Sequence, residues 1–273
     1  MTVATSEKIP PDWGIIISLT AIHLVSLLAF LPRFFSWQAI GVAFILYWIT
    51  TGWGISIGFH RMATHRSFET PKLLEYFFVL CGTLACQGGP LDWIGLHRIH
   101  HKYSDTQQDP HDSNRGFWWS HMGWMLCQHP ANENIPRYTK DYADDPFYQF
   151  CQKYFVYMQI ALGLLLYYLG GWSFVIWGIF VRLTFVFHCT WFVNSATHKF
   201  GYQSHESDDN SKNCWWVALL TFGEGWHNNH HAYQYSARHG LQWWEIDITW
   251  ITINILKVFG LVRNIKLPPA PAK

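Results

Sequence analysis

The 273-residue sequence predicts an all-α integral membrane protein, with four transmembrane helices in two hairpins and a cytosolic helical cap that carries a di-metal histidine site. Three observations predict it. Four apolar stretches approach the length of about 20 residues that crosses a bilayer as a helix. The basic residues fall almost wholly on one side of those stretches, and three histidine clusters lie on that same side. Charged residues make up only 14% of the chain, against about 25% in soluble globular proteins, which argues against a plain cytosolic enzyme. With Lys+Arg 19, Asp+Glu 18 and a net charge of +1, and with no basic tract, a nucleic-acid partner has no electrostatic footing.

The first span is Trp13 to Leu31, longer than the apolar core of a signal peptide and preceded by a lightly charged segment, so it is read as retained. Pro32-Arg33-Phe34-Phe35-Ser36 joins it to the second, Trp37 to Gly58. The third, Tyr154 to Gly170, and the fourth, Trp172 to Asn194, meet at Gly170-Gly171, so each pair crosses and returns. Lys8, nine basic residues from Arg61 to Lys153 and seven from Lys199 to Lys273 place 17 of the 19 on one side; only Arg33 lies in the opposite loops. The positive-inside rule therefore puts both termini, and a cap made of residues 59–153 and 195–267, in the cytosol. Leu73 to Cys86 and Ile246 to Val262 are shorter or interrupted by charge and read as interfacial helices. Reading either as a further span would reverse the sidedness of every residue C-terminal to it. Arg182 lies within the fourth span, where a charge is expected to be paired or functional. Pro268 to Pro271 reads as a tail without a packing role. The whole chain, 1–273, is one domain.

Sixteen histidines are present, and eight fall in three clusters: His60-Arg-Met-Ala-Thr-His65, His97-Arg-Ile-His100-His101 and His227-Asn-Asn-His230-His231. On an α-helix the three rings of H-x-x-H-H lie within about 100° of arc, a chelating face. His60 and His65 are about 140° apart on such a helix, which predicts a helix end where the two rings reach different metals. His60 follows the second span and His198 the fourth, so the topology delivers both to the cytosolic face with the other clusters. Nine rings exceed one tetrahedral zinc and suffice for two metals with positions left open. Neutral imidazole suits Fe, Zn, Cu and Ni alike, so the spacing gives two metals without naming them. His23 and His188, inside spans, read as neutral rings bonded to neighbouring helices, and His111, His121, His129, His205 and His239 read as structural. Glu224-Gly-Trp-His227 matches the E-x-x-H of soluble di-iron bundles, but those need two copies, so Glu224 is left as an acceptor behind a ligand. The six cysteines form no C-x-x-C pair, and neither a disulfide scaffold nor a zinc ribbon is supported.

In their order and separations the three clusters resemble the histidine boxes of integral-membrane fatty acid desaturases. The flanks Gly58-Phe59-His60-Arg61, Asp109-Pro110-His111, Ser120-His121-Met122-Gly123-Trp124, Asn194-Ser195-Ala196-Thr197-His198 and Gly223-Glu224-Gly225-Trp226-His227 resemble the stearoyl-type Δ9 branch, from about Trp37 to Asp247. That resemblance implies two non-haem irons and O2 as co-substrate, and removal of two hydrogens from adjacent methylenes of a C16 or C18 acyl chain to leave a cis double bond. It implies His60, His65, His97, His100, His101, His198, His227, His230 and His231 as iron ligands, with Asn194 holding a water on one iron. Animal acyl-CoA members carry Arg-Asp before the second box, where this chain reads Gly95-Leu96, so the resemblance favours the cyanobacterial acyl-lipid type over an acyl-CoA enzyme. A thylakoid or plasma membrane location would follow. No His-Pro-Gly-Gly haem signature occurs, which implies an external electron donor, ferredoxin before cytochrome b5. The rivals are a histidine-box hydroxylase, which the flanks disfavour, and a membrane haem protein with His23 and His188 as axial ligands.

A Δ9 enzyme must hold nine carbons beyond the double bond, roughly 11 Å when extended. On an α-helix Gly52 and Trp48 lie about 12 and 18 Å from His60 and share a face. Trp48 and Gly52 are therefore expected at the floor of a substrate tunnel that Trp93 also lines.

Overall fold

The computed structural model describes residues 9–269; Lys8 and the end of the expected tail, Ala270 and Pro271, lie outside the described residues. All regular structure within them is helical, with isolated β-bridges and no sheet. Three helical runs are long and apolar enough to cross a membrane: Trp13–Phe30, Trp37–Thr64 and Pro146–His198. The third holds both of the last two expected spans. Gly170 (φ −156°, ψ 16°) and Gly171 (φ 65°, ψ −157°) leave helical geometry, the second in the left-handed region that glycine enters without a Cβ penalty. Beyond the break the chain packs back along itself, and a Cβ on Gly178 would lie 2.7 Å from Leu166 Cδ1.

The helices used below are α1 (Trp13–Ser26), α2 (Trp37–Thr64), α3 (Lys72–Thr83), α4 (Pro90–Tyr103), α5 (residues 146–169), α6 (residues 172–198), α7 (His227–Ala232) and α8 (Ile248–Val258). Their starts follow capping chemistry: Asp12 Oδ1 accepts from Ile15 N at 3.0 Å, Ser36 Oγ from Ala39 N at 3.3 Å, and Asp247 Oδ1 from Trp250 N at 2.9 Å, each satisfying an amide that has no partner in the first turn. Asp145 does the same for α5, whose first residue, Pro146, has no N–H to satisfy. No residue of α1 is buried, and Trp13, Ile17 and Leu24 face outward, as do Ile160, Leu164 and Tyr168 on α5. Apolar side chains exposed along whole helices suit lipid, not water.

From Trp48 to Thr64, α2 widens into a π-helix. There the backbone bonds run from i to i+5, and the last of them joins His65 N to His60 O at 3.1 Å. α3 lies backbone to backbone against this stretch: a Cβ on Gly54 would meet the Cys81 carbonyl carbon at 2.4 Å, and one on Gly58 the Phe78 oxygen at 2.7 Å. Such contact is possible only because Gly54 and Gly58 carry no side chain. Around it Ile55, Phe59, Phe78, Val79 and Ile94 form the main core. The charge of Arg182 is resolved here too. It is buried, and its Nη1 donates to Leu84 O (2.6 Å), Nη2 to Gln159 Oε1 (3.0 Å) and Nε to Gly178 O (2.9 Å). Leu84 caps the C-terminus of α3, so the guanidinium sits at the negative end of a helix dipole and ties α3 to α5 and α6.

Candidate metal centre

Four elements deliver nine imidazoles to one place: the end of α2, the inner face of α4, the end of α6, and α7. They form two groups within which the donor atoms all lie within 4.8 Å of one another: His60, His65, His97, His101 and His230 in the first, and His100, His198, His227 and His231 in the second. His60 and His65 stand in the same group, which corrects the expectation that they reach different metals. That expectation assumed an α-helix; in the π-helix residues five apart stack along one face.

Carboxylates fix which nitrogen of each ring is bare. His100 Nδ1 faces Asp109 Oδ2 at 2.8 Å, His198 Nδ1 faces Asp105 Oδ2 at 2.9 Å, and His231 Nδ1 faces Asp209 Oδ2 at 2.5 Å. In the first group His60 Nδ1 lies 2.7 Å from Glu224 Oε2. An ionised carboxylate only accepts, so the Nδ1 atoms of His100, His198 and His231 carry the proton and, in the neutral ring, each Nε2 presents a lone pair; His60 Nδ1 comes close to Glu224 without the alignment of a hydrogen bond. The Nε2 atoms of His100 and His231 nevertheless face each other at 3.4 Å, two lone pairs with no proton to share. A cation between them removes that conflict, so the donor set fits a metal. His60, His230, His101 and His97 form a similar chain of Nε2 contacts at 2.9–3.1 Å.

The electrostatics agree for most of the rings, although Asp109 holds His100 above the usual imidazole range in spite of its burial. Burial pushes His97, His101, His227 and His230 well below the usual imidazole range, and His231 down to about 4, so these rings are neutral and able to ligate. Burial alone would raise Asp105, Asp109 and Asp209, but the histidines bonded to them hold all three below the usual carboxylate range. Two histidines read as structural adjoin the groups. His239 Nδ1 lies 2.9 Å from Glu224 Oε2, and the His111 ring sits 4.1 Å from that of His100.

A sequence model of the fatty acid desaturase family matches residues 35–251. The chain belongs to that family. It is 71% identical to an sn-1 stearoyl-lipid 9-desaturase of Synechocystis sp., over 98% of this chain and 84% of the relative, and 64% identical to another of Anabaena variabilis, over 98% of each. It is also 46% identical to an icosanoyl-CoA 5-desaturase of Limnanthes douglasii, over 97% of this chain and 75% of that one.

This desaturase has a small, partly open apolar cavity beside the rings of His60 and His97, lined also by Thr51, Ile55, Trp93, Asn194 and Thr221. Asn194 and Trp93 share this lining with His60 and His97. Trp48 and Gly52 lie outside this lining, behind Phe222: its ring is 4.8 Å from that of Trp48, and a Cβ on Gly52 would come within 3.4 Å of it. The four-residue spacing keeps them on one side of the helix, where both meet Phe222.

Gln87 went unread in the sequence. Its Nε2 donates to Thr190 Oγ1 at 2.8 Å and its Oε1 accepts from Trp93 Nε1 at 3.2 Å, bridging opposite walls of the cavity and holding the Trp93 ring stacked 5.0 Å from His97. A single glutamine between two helices leaves no periodic signal. Asp105 and Asp109 were nearer to view, since acidic residues a few positions beyond a histidine cluster are the usual partners of ligating rings.

The histidines inside the spans are bonded among themselves. His23 Nε2 lies 3.2 Å from His188 Nε2, His188 Nδ1 lies 3.0 Å from His121 Nε2, and His121 Nδ1 lies 2.9 Å from Ser195 Oγ. With His23 Nδ1 donating to Leu19 O at 2.7 Å, one set of neutral tautomers satisfies the three rings among themselves, and the row ends at Ser195 Oγ, whose single proton is shared between His121 Nδ1 and Trp191 O (2.9 Å). The gap between His23 and His188 is that of a hydrogen bond and leaves no room for a haem between them.

Proposed function

We propose that this desaturase places a cis double bond at Δ9 of a stearoyl or palmitoyl chain esterified to a membrane lipid, using two irons and O2. The observation that carries the reading is the placement of nine imidazoles, six of them buried, in two groups, with His60 and His97 of one group lining an apolar cavity. His60, His65, His97, His101 and His230 would hold one iron, and His100, His198, His227 and His231 the other, with Asn194 holding a water on one of them. When bound, the iron pair supplies the O2 activation and hydrogen removal that no side chain in the cavity can perform.

The chain's own residues do the rest. Ile55 and Trp93 give the acyl chain an apolar path and exclude water from the reacting carbons. Gln87 holds Trp93 and Thr190 at a fixed separation, so the methylenes beside the rings are presented in one register. Glu224 and the three aspartates orient the rings before any ligand arrives. The acyl-lipid assignment rests on the two cyanobacterial relatives and the absence of charge at Gly95-Leu96.

The architecture that goes with this reading has four spans in two hairpins, with the break at Gly170-Gly171 as the second turn. Both termini and the metal centre face the cytosol, at a thylakoid or plasma membrane. Reduced ferredoxin serves as the donor. The deciding experiment is expression in a host lacking monounsaturated acids, with gas chromatography of its lipids by class and position. Appearance of Δ9 monoenes in lipid-esterified chains supports the reading. Product confined to the acyl-CoA pool, or a hydroxylated chain, overturns it.

A further inference from the structure

The two groups of imidazoles differ in what stands behind them. In the four-ring group three of four Nδ1 atoms meet a separate aspartate, and those aspartates are wired together. Asp109 Oδ2 also accepts Asp105 N at 2.9 Å, and Asp105 Oδ2 also accepts Asn210 N at 2.8 Å, next to Asp209. Asn210 Nδ2 reaches Ser113 Oγ and Asn114 Oδ1 at 3.1 and 3.2 Å. Two loops, 105–114 and 207–211, thus clasp rings that come from α4, α6 and α7. Asp209 Oδ1 is held in turn by Ser211 N and Ser207 Oγ.

The five-ring group has one carboxylate, Glu224, and it is shared. Besides His60 it lies 2.9 Å from His239 Nδ1, accepts from Arg61 Nε at 3.0 Å, and is bonded by Ser56 Oγ. Arg61, which also pairs with Asp247 at 2.9 Å, offsets part of its charge. The Nδ1 atoms of His60, His101 and His230 are buried without a hydrogen-bond partner, the 2.7 Å approach of Glu224 to His60 notwithstanding, so no hydrogen bond fixes those three rings from behind; His227 is the one such ring in the four-membered group.

A carboxylate behind a ligating imidazole fixes its tautomer and orientation, makes Nε2 more basic and adds negative charge near the cation. Losing one such partner costs about 10- to 100-fold in metal affinity. The four-ring group has three, none shared with a cation; the other has one, beside an arginine. The fifth ring opposes this difference, but it stands against two partners' worth, on the order of 100-fold at the low end.

Resting on the di-iron reading above, we propose that the two metal positions are unequal. The position of His100, His198, His227 and His231 fills first and empties last, and Asp105, Asp109 and Asp209 are the positioning residues that make it so.

The test uses the iron-loaded full chain in detergent, reduced and titrated with ferrozine, with iron per chain and the Mössbauer spectrum followed together. The wild type is expected to lose one iron well before the other. Asp209→Asn and Asp109→Asn should each move the late release 10- to 100-fold earlier in chelator and leave the early one in place, whereas Glu224→Gln should move only the early one. Asp209→Glu, which restores the carboxylate, should recover the late step and so separates positioning from misfolding. Release of both irons in one step, or Asp variants that release like the wild type, would overturn the inference while leaving the di-iron reading intact. A chain that never binds two irons would overturn the di-iron reading itself.

Discussion

Gln87→Leu removes a bridge and leaves its two abutments standing. Trp93 Nε1 and Thr190 Oγ1, bonded to Gln87 at 3.2 and 2.8 Å, would each lose a partner. Both residues are half-buried, so the stability cost sits at the low end of the usual range for an unsatisfied group, about 1 kcal/mol each. For a chain of this length that is a loss of several degrees in Tm. The catalytic cost is larger in proportion. The Trp93 ring stacks on His97 and meets His60 edge-on, with centroids 5.0 and 6.0 Å away, so a tilt of the indole changes where the acyl chain lies relative to the rings. A displacement of about 1 Å at the reacting atoms costs about 100-fold in rate. The assay is gas chromatography–mass spectrometry of the products, for amount and for double-bond position, with iron per chain measured alongside. Expected are unchanged iron, a rate 10- to 100-fold lower and a double bond spread over more than one position. Gln87→Glu keeps an acceptor for both groups and should retain most activity. A Gln87→Leu enzyme with wild-type rate and a single product position would refute the reasoning.

Replacing any of the nine histidines proposed as ligands by Ala should lower iron per chain, and His60→Ala and His65→Ala should deplete the same iron by Mössbauer spectroscopy; His129→Ala and His205→Ala should keep both iron and product. In a chain freed of native thiols, Arg33→Cys should be labelled only from outside and Asn114→Cys only from the cytosol, and labelling of both from one side would overturn the topology. Purified enzyme should turn over with reduced ferredoxin, and turnover with cytochrome b5 alone would reverse the donor assignment. Trp48→Ala should let the Phe222 ring retreat and admit longer chains: at about 0.8 kcal/mol per buried methylene, two extra carbons gain at most about 15-fold in relative use. An unchanged chain-length profile would place the tunnel end elsewhere.

The membrane-length helices and the histidine set were legible because each leaves a periodic or compositional trace. The spans are runs of apolar residues, and H-x-x-H-H on α4 and α7 shows its shared face through the ordinary helical repeat. What escaped depends on geometry the repeat does not carry. The pairing of His60 with His65 turns on a π-helix, and nothing in the composition of residues 48–64 announces i to i+5 bonding. Arg182 was visible as a buried charge, but its partners, Leu84 O and Gln159, lie on two other helices. Asp209 stands 22 residues before His231, and only folding brings the loop over the ring.

The same π-helix bears on how a bond position could be held constant. Thr51, Ser56 and His60 line the cavity, and His65 joins the five-ring group; their spacings are five, four and five residues. On an α-helix at 100° per residue those positions scatter around the cylinder, whereas with i to i+5 bonding they fall along one line. One stretch of backbone thus supplies both a wall of the cavity and two rings of the metal group, and α3, pressed against Gly54 and Gly58, keeps it straight and fixed. The distance from the reacting centre to the level of Thr51 is therefore a property of a single element. It cannot drift through loosened packing between helices. Converting the stretch to α-helix would rotate His65 away from His60 and turn Thr51 out of the cavity at once, so the metal group and the tunnel would fail together.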